Sequence, residues 1–128
     1  MDDHEPGPTP PPGSRAGRPP EPGPDVLSVA DFQRLIAERY LETDRARGTH
    51  ATFLLLTEEF GELATALYNA NRETHGGRPA TAAERANLEE EFADVLAWLA
   101  TLANINGVDL TRALSKYTES GGPRGVKP

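Results

Sequence analysis

Apolar side chains recur at three- and four-residue intervals through most of the chain beyond residue 28, the period of a helix with one buried face. Val29, Phe32, Leu35, Ile36 and Tyr40 predict a first helix over about 29–47. Ser28 stands as its N-cap, Asp31 lies in its first turn and Gly48 is its stop. Gln33, Arg34, Glu38 and Glu42 fall on the opposite, polar face. A second helix runs from about His50 to Arg72, through Phe53-Leu54-Leu55-Leu56 and then Leu63, Ala66, Leu67 and Ala70. Gly61 within it costs roughly 1 kcal/mol relative to alanine, so a close approach by a helix or ligand is expected there. Residues 73–80 read as a loop, after which Thr81 and Glu84 form a Thr-x-x-Glu capping box. The third helix extends to about Asn106 and stops at Gly107. Its stretch from Phe92 to Ile105 is apolar on nearly every face apart from Asp94, Thr101 and Asn104, the pattern of a helix buried all round. Asp109 caps a short fourth helix over 110–118, with Leu110, Ala113, Leu114 and Tyr117 apolar. No strand alternation and no internal repeat is found. The expectation is an all-α domain of four principal helices. Four helices do not suffice to surround the third, so the bundle is expected to be completed by oligomerisation, as a homodimer or homotetramer.

The ends of the chain differ from this. Residues 1–27 hold nine of the twelve prolines and four of the twelve glycines. Proline removes backbone donors, glycine raises the entropy of ordering, and little here can be buried in return. A disordered, partly polyproline-II tail is expected over 1–27, a helical domain over 28–120 and a flexible tail over 121–128.

Charge and composition narrow the partners. The net charge is −7, with no basic stripe, which argues against duplex nucleic acid. Without cysteine there is no disulfide, thiolate nucleophile or Cys-ligated zinc. No apolar run approaches the ~20 residues that span a bilayer, and no secretory leader is recognisable, so a soluble cytoplasmic protein is the default expectation.

The candidate chemistry lies in acids on the apolar stripes. Glu59 and Glu62 share a face with Leu55, Leu56, Leu63 and Ala66; Glu91 and Asp94 share one with Leu88, Val95, Trp98 and Leu102. Exposed Glu-rich helix surfaces are common, and Glu89 and Glu90 read as such. Carboxylates on an apolar stripe are costly unless a cation meets them. Two such pairs on neighbouring helices point to a metal, and hard oxygen ligands favour magnesium or manganese over zinc. Trp98, one turn beyond Asp94, is placed either to stack on a base or to pack in the core. Asn104 is a buried-looking amide suited to reading a base edge or to a helix contact. Phe53 and Tyr40 are core by default, and Arg45, Arg47 and His50 near the first interhelical turn read as surface.

These residues resemble the ExxE…ExxD signature of the MazG-like all-α nucleoside triphosphate pyrophosphohydrolases. Glu59-x-x-Glu62 is followed after twenty-eight residues by Glu91-x-x-Asp94. Thr57–Ala64 resembles the first motif helix, Glu90–Leu99 the second, and Asn104–Leu110 the turn that follows. The resemblance covers about 28–128. It implies Mg2+-dependent hydrolysis of a (deoxy)nucleoside triphosphate between the α and β phosphates, to a monophosphate and pyrophosphate, as nucleotide-pool house-cleaning. It implies Glu59, Glu62, Glu91 and Asp94 as metal ligands and Glu58 as the acid that positions or deprotonates water. Lys116 resembles a family lysine near the site, and Arg112 is a second candidate for the phosphates. Where some relatives carry a cysteine-rich tail, Gly122 and Gly125 stand here, so no zinc knuckle forms. The rival readings are a phosphoribosyl-ATP pyrophosphohydrolase and a non-catalytic helical interaction module with a recruiting Pro-rich tail. Keeping all five acids argues against the latter.

Overall fold

A computed structural model of the chain describes residues 26–119. The tails expected over 1–27 and 121–128 lie outside the described residues, except for Val26 and Leu27. The architecture is all-α, with no strand among the described residues. Helix α1 spans Val29–Arg47, α2 Thr49–Ala70 and α3 Ala82–Ile105. A 3-10 turn at Arg72–His75 lies between α2 and α3. The expected fourth helix is two four-residue pieces, α4 Leu110–Ala113 and α5 Ser115–Thr118, meeting at Leu114. No helix among the described residues is long and apolar enough to cross a membrane.

The helix ends follow local chemistry. Ser28 Oγ accepts from the Asp31 N–H at 3.0 Å and opens α1. At Gly48 the backbone turns to φ 87°, a left-handed value that a side chain would strain, and its N–H donates to Asp44 O at 2.9 Å. One residue thus ends α1 and begins α2. The capping box of α3 is complete: the Glu84 N–H donates to Thr81 Oγ1 and the Thr81 N–H donates to Glu84 Oε1. Arg78 also donates to Glu84 at 2.7 Å and Arg72 at 3.2 Å, clasping the α2–α3 connection to the start of α3. The hydrogen bonds from Arg78 and from the Thr81 backbone hold the Glu84 carboxyl down to about 2.

Helices α2 and α3 form an antiparallel pair. Ala66 and Ala70 near the end of α2 pack on Leu88 near the start of α3, and Asn106 just past α3 donates to Thr49 at the start of α2. Helix α1 lies on the other side of α3, so α3 is the central element. The α1–α3 contact is tied by Gln33 and Asn104. Gln33 Nε2 donates to Asn104 Oδ1 at 3.0 Å and to Val108 O at 2.7 Å, while Asn104 Nδ2 donates to Gln33 O at 3.2 Å. Gln33 Oε1 in turn accepts from the Leu110 N–H, seating α4 on α1. Gln33 therefore does not belong to the solvent face. It stands four residues after Val29 and three before Ile36, on the inward stripe.

The buried core is thin and built largely of small side chains: Ile36, Leu56, Ala66, Ala70, Leu88, Ala100 and Ala103, with Thr52, Thr101 and Asp44. Alanines at the contacts let the helices approach closely. They leave larger apolar side chains outside: Leu54 is 68% exposed, Phe53 56%, Leu96 55% and Leu99 44%. The expectation that Phe92–Ile105 is buried on every face does not hold within one chain, because α1 and α2 cover only part of the girth of α3. Tyr40 and Phe53, expected in the core, are exposed for the same reason. The close approach expected at Gly61 is likewise absent within the chain. A Cβ built there meets no atom within 4 Å, since Gly61 sits on the exposed side of α2.

The Gln33–Asn104 tie is the main polar link between α1 and α3. Asn104→Ala leaves the Gln33 carbonyl without this donor and is expected to destabilise the fold by about 1–3 kcal/mol in chemical denaturation. An unchanged midpoint would show the tie to be dispensable.

Candidate metal centre

Residues three apart on a helix share a face, so the 59/62 pair of α2 and the 91/94 pair of α3 each project two carboxylates in one direction. The antiparallel packing turns these directions toward each other. One carboxylate oxygen from each of Glu59, Glu62 and Glu91 lies within 4.8 Å of the other two. Glu59 and Glu91 are half-buried between the helices, and Glu62 opens to solvent. Asp94, exposed and one methylene shorter, stands outside this set. It is near enough to act on Glu59 and Glu91 through its charge.

Among the described residues the ion pairs are Arg34–Asp31, Arg47–Asp44, Arg72–Glu84 and Arg78–Glu84, and none reaches the three glutamates. Glu59 Oε2 and Glu91 Oε2 are buried with no hydrogen-bond partner. Burial pushes the Glu59 carboxyl up to about 7, helped by the hydrogen bond with Glu62 and by the charges of Glu62, Asp94 and Glu91. Burial also raises Glu91, followed by the charges of Glu62 and Asp94. Like charges taken out of water raise one another's pKa. The arrangement fits a divalent cation: all donors are oxygen, two are orphaned, and the open side at Glu62 and Asp94 leaves room for solvent and a phosphate.

The other sequence candidates are dispersed. Glu58 is exposed on α2, beside Leu54, Leu55 and Thr57. Trp98 is half-buried on α3, with the Arg47 guanidinium 5.0 Å from its ring centroid. The Asn104 amide bonds to Gln33 through both Oδ1 and Nδ2. Arg112 and Lys116 lie on α4 and α5, with the Lys116 ammonium 5.8 Å from the Tyr117 ring centroid. Leu110 is fastened near Asn104, ten residues beyond Asp94, or about 15 Å along α3.

Asp44 escaped the sequence reading, and Arg47, read as surface, is its partner. Asp44 is 2% exposed and pairs with Arg47, whose Nη1 donates to Asp44 Oδ1 at 3.0 Å and to Thr52 Oγ1 at 3.3 Å. The available signal was register: 36, 40, 44 and 47 continue one helical stripe into polar residues.

Carboxylates converging from two antiparallel helices, with burial on one side and solvent on the other, define a cation-seeking centre in an all-α domain. The family model of the MazG nucleotide pyrophosphohydrolase domain matches residues 47–120, and the chain belongs to this family. The match takes in α2, α3 and the C-terminal turns, and therefore all four candidate ligands. No curated protein matches the chain. The family's chemistry is nucleotide pyrophosphohydrolysis, and metal dependence is typical of it.

The raised acids set a pH dependence. The Glu59 pKa is about 7 in the folded chain against an ordinary 4.5, so between these values the folded state holds more protons. Stability without metal then falls as pH rises through that window. In chelator, Glu59→Gln is expected to gain melting temperature over the native chain between pH 4.5 and 7 and to hold the gain above it. The depressed acid Glu84 contributes its stability change at lower pH, outside this window. A pH-independent difference between the two melting curves would contradict the assignment.

Proposed function

We propose that the protein hydrolyses a (deoxy)nucleoside triphosphate between its α and β phosphates, giving the monophosphate and pyrophosphate, and serves to cleanse the nucleotide pool. The observation that carries this reading is the convergence of Glu59, Glu62 and Glu91, two of them with orphaned buried oxygens. A triphosphate is itself strongly anionic, so an acidic site accepts it only with cations between the two. Glu59, Glu62, Glu91 and Asp94 would hold Mg2+, with Mn2+ as the alternative hard ion. When bound, the ion screens the phosphate charge and polarises the phosphoryl oxygens. Glu59 and Glu91 supply the fixed, buried donors, while Glu62 and Asp94 adjust from the solvent side. Glu58, one residue before the first ligand, orients the attacking water and takes its proton. Trp98 lies one turn beyond Asp94, on the base side of a nucleotide whose phosphates meet the acids.

The exposed apolar surface supports a homo-oligomeric form of this enzyme, a dimer or a dimer of dimers. A groove of about 630 Å3, lined by Phe53, Leu54, Leu99, Leu102, Val108 and neighbouring residues, runs along α2 and α3. Its walls are nearly free of charge, as in the core of a permanent interface. A second copy would cover the flank of α3 that α1 and α2 leave open. It would also offer a route for Arg112 and Lys116 to reach a site other than their own chain's.

Two measurements test the proposal. Incubation with a nucleotide panel and Mg2+ is expected to release pyrophosphate; release of orthophosphate alone, or no turnover, would refute it. Glu62→Ala is expected to lower kcat/KM at least about a hundredfold with the fold retained, since a carboxylate is removed from a repelling cluster. For assembly, light scattering should report a multiple of the 13.8 kDa chain. The double variant Leu54→Glu with Leu99→Glu should shift it toward the monomer; a native chain that is already monomeric would refute the oligomer.

A further inference from the structure

The apolar flank that α1 leaves open has an order of its own. On α2, Phe53, Thr57, Phe60, Ala64 and Leu67 recur at alternating four- and three-residue steps, and all are exposed. Bulky and small side chains alternate along this stripe, which reads the same in both directions about Phe60. Thr57 adds no free donor to it, because its hydroxyl donates to Phe53 O at 2.8 Å. On α3, Phe92, Leu96 and Leu99 continue the flank, and Leu99 meets Phe53 and Leu54 in the α2–α3 groove. Phe53 and Phe60 stand about 100° or more around α2 from Glu59 and Glu62, so the flank is turned away from the acids. Phe53, Leu54, Phe60, Phe92, Leu96 and Leu99 are each 44–68% exposed. At about 200 Å2 for a large apolar residue they present roughly 600 Å2 together. That is the upper end of what a soluble monomer leaves bare, and most of the ~800 Å2 that a standard interface buries on each side. A stripe that matches its own reverse is complementary to a second copy of itself across a two-fold axis.

One ionisable residue interrupts this apolar surface. Among the residues that line the groove, His50 alone can carry a charge. It stands three residues before Phe53 and heads the α2 stripe. Resting on the homo-oligomeric reading, we propose that two copies pair back to back through this flank, α2 antiparallel to α2 about Phe60, and that His50 makes the pairing sensitive to pH. Leu67 and Tyr68 of one copy then cover Phe53, Leu54 and His50 of the other. The α3 residues beside His50, Leu99, Leu102 and Asn106, are uncharged. Of the charged groups nearby, Arg47 is turned to Asp44 and Trp98, and Asp109 accepts from the Arg112 N–H. Arg72 of the covering copy, one turn beyond Tyr68, is ion-paired with Glu84, and Arg45 is exposed on α1. Pairing thus withdraws the imidazole from water into uncharged walls, which a neutral ring tolerates and a cation does not. Its place in the first turn of α2, at the positive end of the helix dipole, opposes a positive charge further. Protonation and pairing therefore exclude each other. Assembly is complete above the range in which imidazole ordinarily titrates, near about pH 6.5, and weakens as pH falls through it. Each pair covers two imidazoles, so the dissociation constant rises by up to about a hundredfold per pH unit below that range.

Light scattering of the full chain over a dilution series at pH 8 and pH 5.5 tests this, with circular dichroism to show that the helices persist at both. The native chain is expected to pair at pH 8 and to dissociate at least about tenfold more readily at pH 5.5. Glu59→Gln should keep that difference, which separates it from the acids that titrate on the opposite face. His50→Phe should pair at both pH values with the difference abolished. Because the chain has no cysteine, Phe60→Cys places a single thiol at the two-fold axis. On oxidation at pH 8 it is expected to cross-link the two copies, and Glu38→Cys on α1 is not. Equal pairing of the native chain at the two pH values, or an undiminished pH response in His50→Phe, would refute the switch and keep the assembly. A Phe60→Cys chain that pairs without cross-linking would overturn the back-to-back arrangement. A native chain that is monomeric at pH 8 would overturn the assembly and the switch together, and leave the pyrophosphohydrolase reading to its own test.

Discussion

Glu59, Glu62 and Glu91 bring like charges together along a contact that two helices must nonetheless pack. Their oxygens converge within 4.8 Å, and two of the side chains are half-buried. Nothing cationic in the described chain meets them. The apolar contacts of α2 with α3 must therefore hold this cluster against its own repulsion. They do so from the adjoining turns, where Ala66 and Ala70 pack on Leu88, and from the start of α3, where Glu84 is clasped by Arg72 and Arg78. Among the described residues the ion-paired arginines, Arg34, Arg47, Arg72 and Arg78, engage other acids. The three glutamates are thus left without an ion pair among the described residues, an arrangement that suits a cation.

The thinness of the single-chain core belongs to the same design. Alanine at 66, 70, 100 and 103 brings helix axes close enough for short carboxylate side chains on opposed helices to meet. Close axes leave little interior volume, so Phe53, Leu54, Leu96 and Leu99 face outward. The geometry that assembles the acids thus also produces the apolar flank. An assembly that covered this flank would reinforce the α2–α3 pair without altering the spacing of its carboxylates.

What the sequence made legible was whatever depends on helical period and on caps. Ser28, Gly48 and the Thr81–Glu84 box mark helix ends by bonds within one turn, and those are local. The acids stood out because charge interrupts an apolar stripe. Gln33, Asp44 and Asn104 were harder, since a polar residue on the inward stripe shows its purpose only through a partner. For Gln33 and Asn104 that partner is 71 positions away. Tyr40 and Phe53 were misplaced because hydrophobicity alone does not say whether the surface that covers a residue belongs to its own chain. Asp94 belongs to the motif, yet its carboxylate lies outside the closest set, a matter of one methylene that no pattern encodes.

The two polar centres differ in how they meet the cost of burial. Glu59 and Glu91 have no fixed partner, so a proton or a cation can satisfy them, and neither choice carries directional information about a substrate. Asp44 has an ionic partner in Arg47, and its Oδ2 alone is without a donor. Charge is thus the currency of the α2–α3 contact and hydrogen-bond geometry that of the α1–α3 contact. Because α3 is common to both contacts, one helix packs against an acid cluster without an ion pair on the α2 side and against a salt-bridged acid on the α1 side.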